Sequence, residues 1–116
     1  MAVPKLILSD TNEPIFVGDT WEGFTALYKI DGVAVNLTGA IIRMTLKSDS
    51  GTISLSSVDS EFIITSPASG NYKCEKISRM DYPAGSYVGD LEITLANNDR
   101  NTVAIVQMFL KDDTTK

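Results

Sequence analysis

Fifteen acidic side chains, one cysteine and no histidine bound the chemistry open to this 116-residue chain. Nucleophilic catalysis of the Ser-His-Asp or Cys-His kind needs an imidazole as base, and there is none. A zinc centre draws on Cys and His ligands, and Cys74 alone cannot build one. No cofactor is implied, and the chain is not expected to be an enzyme. Paired carboxylates of the kind that hydrolyse glycosides remain formally open, with Asp19 near Glu22 and Asp112 beside Asp113. These pairs fall at turns and at a terminus, where acidic residues serve as solvated surface. Asn97-Asn98-Asp99 offers oxygens that calcium could take, but it lacks the spaced carboxylates of a dedicated loop, and Asn and Asp are turn residues in any case. Cys74 follows Tyr72 by two residues on one parity and reads as a small core hydrophobe. Asn36-Leu37-Thr38 fits the N-glycosylation acceptor pattern, which is expected to stay silent without a secretory segment.

Binding chemistry is a second possibility. Trp21, Tyr28, Tyr72, Tyr82 and Tyr87 have aromatic faces that could stack on sugar rings. Most share parity with aliphatic residues and are expected in the core, which leaves Trp21 and Tyr82 as the candidate ligand platform of a receptor- or glycan-binding module. Nucleic acid is not an expected partner, because the net charge is −5 and the ten Lys and Arg residues form no basic stripe. No membrane association is expected either: the apolar run after Lys5 is three residues, too short for a signal-peptide core or a span. Synthesis and folding in a cytoplasm follow as the expectation.

The elements that must position these residues are short strands. A hydrophobic share of 43% and a charged share of 22% suit one globular domain over residues 1–116. Phe24, Ala26, Tyr28 and Ile30 alternate, with Trp21 out of phase, which a β-bulge at Glu22-Gly23 would repair. Asp31-Gly32 is a two-residue hairpin turn, Val33 and Val35 resume the alternation, and Gly39 permits a second reversal. Ile42, Met44 and Leu46 line one face of the next strand; Ile53 with Leu55, Phe62 with Ile64, and Tyr72 with Cys74 continue the pattern between turn clusters. Ser78 and Asp81 have capping-box spacing ahead of Pro83, so one short helical turn is predicted near 78–82. Tyr87, Gly89, Leu91, Ile93 and Leu95 form the clearest half-buried strand.

The last strand, Thr102 to Leu110, is apolar on both parities. Val103, Ile105 and Phe109 lie on one side; Ala104, Val106, Met108 and Leu110 lie on the other. One such face suffices for a strand in a monomeric sandwich, so either Val103, Ile105 and Phe109 or Val106, Met108 and Leu110 should meet a partner. Seven or eight strands at spacings of roughly 8 to 12 residues, joined by Gly, Asn and Asp turns, predict an all-β, antiparallel β-sandwich of immunoglobulin-like type.

Phe16-Val17-Gly18-Asp19-Thr20-Trp21, then Asp31-Gly32-Val33, Asn36-Leu37-Thr38-Gly39-Ala40, Pro83-Ala84-Gly85-Ser86-Tyr87 and Gly89 to Thr94 follow one another in an order that resembles small phage and prophage proteins of tails, baseplates and tail fibres. Members of that group typically read "GDT", a D-G turn, "(D/N)LTGA", a "(P)AG-x-Y" strand start and a closing D-x-T, which Asp112-Asp113-Thr114 looks like. The match runs over nearly the whole chain. Several members carry this domain at the N-terminus of longer upper-baseplate proteins. The chain departs from the usual pattern at Asn36, where Asp is commoner, and at the Asn97–Asn101 loop, where a glycine-bearing turn is commoner. The resemblance implies a non-enzymatic virion component with an immunoglobulin-like domain. It would assemble with copies of itself, as a homo-oligomer, or with other tail and baseplate proteins.

Overall fold

Ile42, Met44 and Leu46 alternate with Arg43, Thr45 and Lys47, the period of two that a strand with one buried face requires. In the computed structural model, which describes residues 4–112, they form the strand Ile41–Lys47, and all three apolar side chains are fully buried. Numbered along the chain, the strands are β1 (Lys5–Ile7), β2 (Ile15–Phe16), β3 (Phe24–Leu27), β4 (Lys29–Ile30), β5 (Val33–Ala34), β6 (Ile41–Lys47), β7 (Thr52–Ser56), β8 (Phe62–Ser66), β9 (Asn71–Cys74), β10 (Gly85–Thr94) and β11 (Arg100–Lys111).

The fold is all-β. The larger sheet runs β1-β11-β10-β6-β7, with β2 also paired to β11; the smaller runs β3-β9-β8; β4 and β5 form a separate hairpin. Asp31 and Gly32 connect that hairpin with φ of 51° and 80°, the mirror-image turn that suits a two-residue loop. Inner faces of both sheets feed one apolar cluster. It holds Ile42, Leu46, Leu55, Ile93, Val106 and Leu110 from the larger sheet, Phe62, Tyr72 and Cys74 from the smaller, and Leu37 and Met80 from connections. Each fully buried Leu, Ile or Phe contributes about 1.5–3 kcal/mol of transfer free energy. Leu37 explains the "NLTGA" segment: Asn36 Oδ1 accepts from the Thr38 N–H and hydroxyl, Ala40 N–H donates to the Leu37 carbonyl, and this turn drives Leu37 inward.

Four expectations are corrected. The larger sheet is mixed, not antiparallel throughout, because β1 and β2 both run parallel to β11. Non-local pairing of this kind leaves no mark in the local alternation.

Residues 78–82 are not helical. Met80 N–H donates to the Asp19 carbonyl, Gly18 N–H donates to the Met80 carbonyl, and Trp21 and Ile77 exchange both backbone bonds at 2.8 Å. Long-range pairing within the chain has taken the groups a helical turn would use, and Ser78 offers its carbonyl to the Thr20 hydroxyl. Met80 is buried as a result. A 3-10 turn occurs instead at Pro67–Ser69, closed by Gly70 in the left-handed region.

The break in parity at Trp21 needs no inserted residue. Trp21 faces Ile77 and Phe24 faces Cys74 with an unchanged pairing offset. Gly23, at φ 75°, turns the chain between them, and a Cβ there would collide with the Cys74 carbonyl. Trp21 and Phe24 thereby reach the same side, with ring centroids 6.1 Å apart.

The fourth correction concerns β11. Val106, Met108 and Leu110 are buried in the chain's own core, so they cannot form a partner face.

Among the described residues no helix is long and apolar enough to cross a membrane.

Candidate interaction surface

β11 is central to the larger sheet. β10 pairs along one edge, and the N-terminal segment covers much of the other: the Ile105 N–H donates to the Pro4 carbonyl, the Leu8 N–H to the Gln107 carbonyl and the Val17 N–H to the Lys111 carbonyl. Its inner face is core. What remains is the outer face.

The ladder registers fix which side chains share that face, since paired residues point to the same side of a sheet. One row across the sheet reads Lys5, Ile105, Asp90, Thr45, Ser54, and the next reads Ile7, Gln107, Val88, Lys47, Thr52. Phe109, paired with Ser86, stands in the row beyond. Ile7 is 52% exposed, Val88 49% and Ile105 39%. Phe109 is half-buried beside a shallow depression of 220 Å³ whose walls include Ser9, Ser86 and Val88. Ile7, Val88, Ile105 and Phe109 therefore surround Gln107 on a sheet face that also carries the exposed Phe16 beside Lys111, with Lys5 and Asp90 on opposite sides of Ile105.

Of the partner residues expected from sequence, Ile105 and Phe109 belong to this face. Val103 does not: the register between β10 and β11 slips there, Leu91 facing Ala104 and Glu92 facing Thr102, so Val103 is the unpaired residue of a bulge and packs half-buried against the core. Sequence reasoning missed Ile7, Val88, Lys5 and Asp90. Val88 had left a signal, being the one aliphatic residue on the side of its strand that carries Asp90, Glu92 and Thr94. Ile7 had left none, because its place beside Gln107 depends on a parallel pairing a hundred residues away.

Both residues of the candidate aromatic platform, Trp21 and Tyr82, are partly withdrawn from solvent. Trp21 is half-buried and tilts against Phe24, which in turn meets Phe62 edge-on at 6.0 Å. Tyr82 is half-buried and packs on the core, and burial raises its phenol above the ordinary value, with Glu61 and Tyr87 adding to the shift.

The candidate reactive groups have structural partners or open solvent. Cys74 is buried, and its thiol is pushed up to about 12 by burial first, then by the Glu61 and Glu75 carboxylates. A thiol so raised is a poor nucleophile. Asp19, Glu22 and Asp112 are exposed; Asp113 and Thr114 lie outside the described residues. In the 97–101 loop, Asn97 Oδ1 accepts from the Asp99 N–H and Asn97 Nδ2 donates to Asp99 Oδ2, so both side chains serve the turn. Asn36 is exposed but holds Thr38, as described. Among the described residues no three His, Cys, Asp or Glu side chains are grouped to hold a metal.

Comparison with protein-family models, with curated proteins and with solved structures found no match to this chain.

Proposed function

We propose that the chain is a non-enzymatic structural subunit of a phage or prophage virion, in the tail, baseplate or tail fibre, made in the cytoplasm of its bacterial host and acting through protein–protein assembly. The observation that carries the assembly reading is the outer face of the larger sheet, where Ile7, Val88, Ile105 and Phe109 are grouped around Gln107 on three paired strands. Monomers rarely leave a contiguous apolar patch on an open sheet face without a use for it.

An immunoglobulin-like ancestry is part of the proposal. Tyr87, two residues into β10, donates its hydroxyl to the Pro83 carbonyl at 2.6 Å, four residues upstream, an arrangement similar to the tyrosine corner that sandwiches of that class place near the start of a strand, and this supports the reading. The order of turn motifs from Gly18-Asp19-Thr20 to Pro83-Ala84-Gly85 supports the tail or baseplate assignment.

The test is immunogold electron microscopy of particles released from cells that carry the gene, using antibody to this chain. Label on the tail, baseplate or fibre supports the proposal. Particles that carry no label, while the chain is abundant in the same lysate, would refute it.

A further inference from the structure

We infer that the partner of this face is a second copy of the chain, docked sheet to sheet about a two-fold axis that runs along β11. The inference rests on the reading of the outer face as an assembly surface and adds the partner and its orientation.

The pattern of side chains about β11 selects this axis. Neighbouring strands lie about 4.8 Å apart, and facing sheets pack about 10 Å apart with their strands roughly aligned. A two-fold along β11 lays the β10 of each copy over the β1 of the other. Asp90 then faces Lys5 of the partner subunit, and Lys5 faces the partner's Asp90, while Ile105 meets its own symmetry mate between them. In the next row Val88 faces Ile7 of the partner subunit, and Gln107 meets Gln107, an amide that can both donate and accept. Phe109 meets Phe109 in the third row. Charge is antisymmetric across β11 and apolar character is symmetric across it, which is what a self-complementary face requires.

Other axes fail the same comparison. A two-fold along β10 sets Asp90 against Asp90 and leaves Lys5 over Ser54. A two-fold across the strands, midway between the two rows, sets Lys5 against Ile7 and Asp90 against Val88, burying charge on hydrocarbon. Along β11, β6 with its Lys47 projects past the partner's β1 edge into solvent. Lys111 stands at the strand end, where sheet twist parts the facing strands.

A charge swap tests the geometry. In analytical ultracentrifugation of the full chain, Lys5→Glu alone sets one carboxylate against another at Asp90, and Asp90→Lys alone sets one ammonium against another at Lys5, so each variant should dimerise at least about tenfold more weakly than the parent. An equimolar mixture of the two variants should recover the dimer, because every facing pair is again of opposite sign. Circular dichroism confirms that each variant is folded, and an Asp90→Asn control should weaken the dimer less than Asp90→Lys does. Single variants that dimerise like the parent, a mixture that stays monomeric, or loss of dimer in Asp90→Lys but not in Lys5→Glu would overturn the two-fold along β11. A parent chain that is monomeric at all concentrations would overturn the second-copy inference while leaving a tail location, read by gold label, intact.

Discussion

Ser9 and Phe109, one hundred positions apart, share two hydrogen bonds: the Ser9 hydroxyl donates to the Phe109 carbonyl at 2.9 Å and its oxygen accepts from the Phe109 N–H at 2.7 Å. The hydroxyl stands in for backbone where the N-terminal segment leaves β11 between β1 and β2. Ser9→Ala should lower the unfolding free energy by about 1–3 kcal/mol, because it strands an N–H and a carbonyl in a half-buried seam. Urea denaturation followed by circular dichroism measures it, and a loss within experimental error would mean that water replaces the hydroxyl at no cost.

Tyr87 supplies a second local test. The residue is 1% exposed, and its hydroxyl donates to the Pro83 carbonyl. Tyr87→Phe keeps the ring and removes the bond, for an expected loss of about 1–2 kcal/mol in the same assay.

The alternation in β6, β7 and β10 could be read from sequence because one face of each strand is core and the other is solvent. Three features could not. Residues 78–82 read as helical because capping-box spacing is local, whereas the backbone partners of Ile77 and Met80, at residues 18–21, are about sixty residues away. β11 reads as doubly apolar because Val103 continues the parity of Ile105 and Phe109 in sequence; the bulge at Val103 ends that alternation, and of the three Ile105 and Phe109 remain on the outer face. Two residues of the candidate surface, Lys5 and Ile7, enter by a parallel strand pairing that no turn announces. The inner set Val106, Met108 and Leu110 was indistinguishable from the outer one until register was fixed.

Gly89 sits between β6 and β11, where the backbones approach so closely that a Cβ would collide with the Thr45 carbonyl. Gly89→Ala therefore forces the strands apart and should cost about 2 kcal/mol or more, in contrast to the small gain an alanine gives in an ordinary strand. Thermal unfolding should show a lowered midpoint; an unchanged one would argue that β6 moves freely.

Alkaline pH should destabilise the fold in a defined direction. Burial, then Glu61 and Glu75, raise Cys74 from 9.0 to about 12, and burial, then Tyr28, raise Tyr72 from 10.0 to about 12. In the unfolded chain these groups ionise at their ordinary values, so between the two limits the unfolded state binds fewer protons than the native state. Stability is full below about pH 9 and falls progressively as pH rises towards about 12. Urea midpoints across that range should decline, and Cys74→Ala should decline less steeply. The native thiol should also resist alkylation at neutral pH and react once urea unfolds the chain.

The most direct measurement is the mass of the parent chain and of Ile105→Lys by size-exclusion chromatography with light scattering, with Met108→Lys alongside. Ile105 is 39% exposed at the middle of the outer face, whereas Met108, three residues on, is 1% exposed in the core. The expected result is a parent species of twice the 12.6 kDa chain mass, a folded Ile105→Lys at single-chain mass, and a Met108→Lys that is unfolded or insoluble. A parent that elutes as a single 12.6 kDa chain at every concentration, or an Ile105→Lys variant whose mass matches the parent oligomer, would contradict self-assembly through this face.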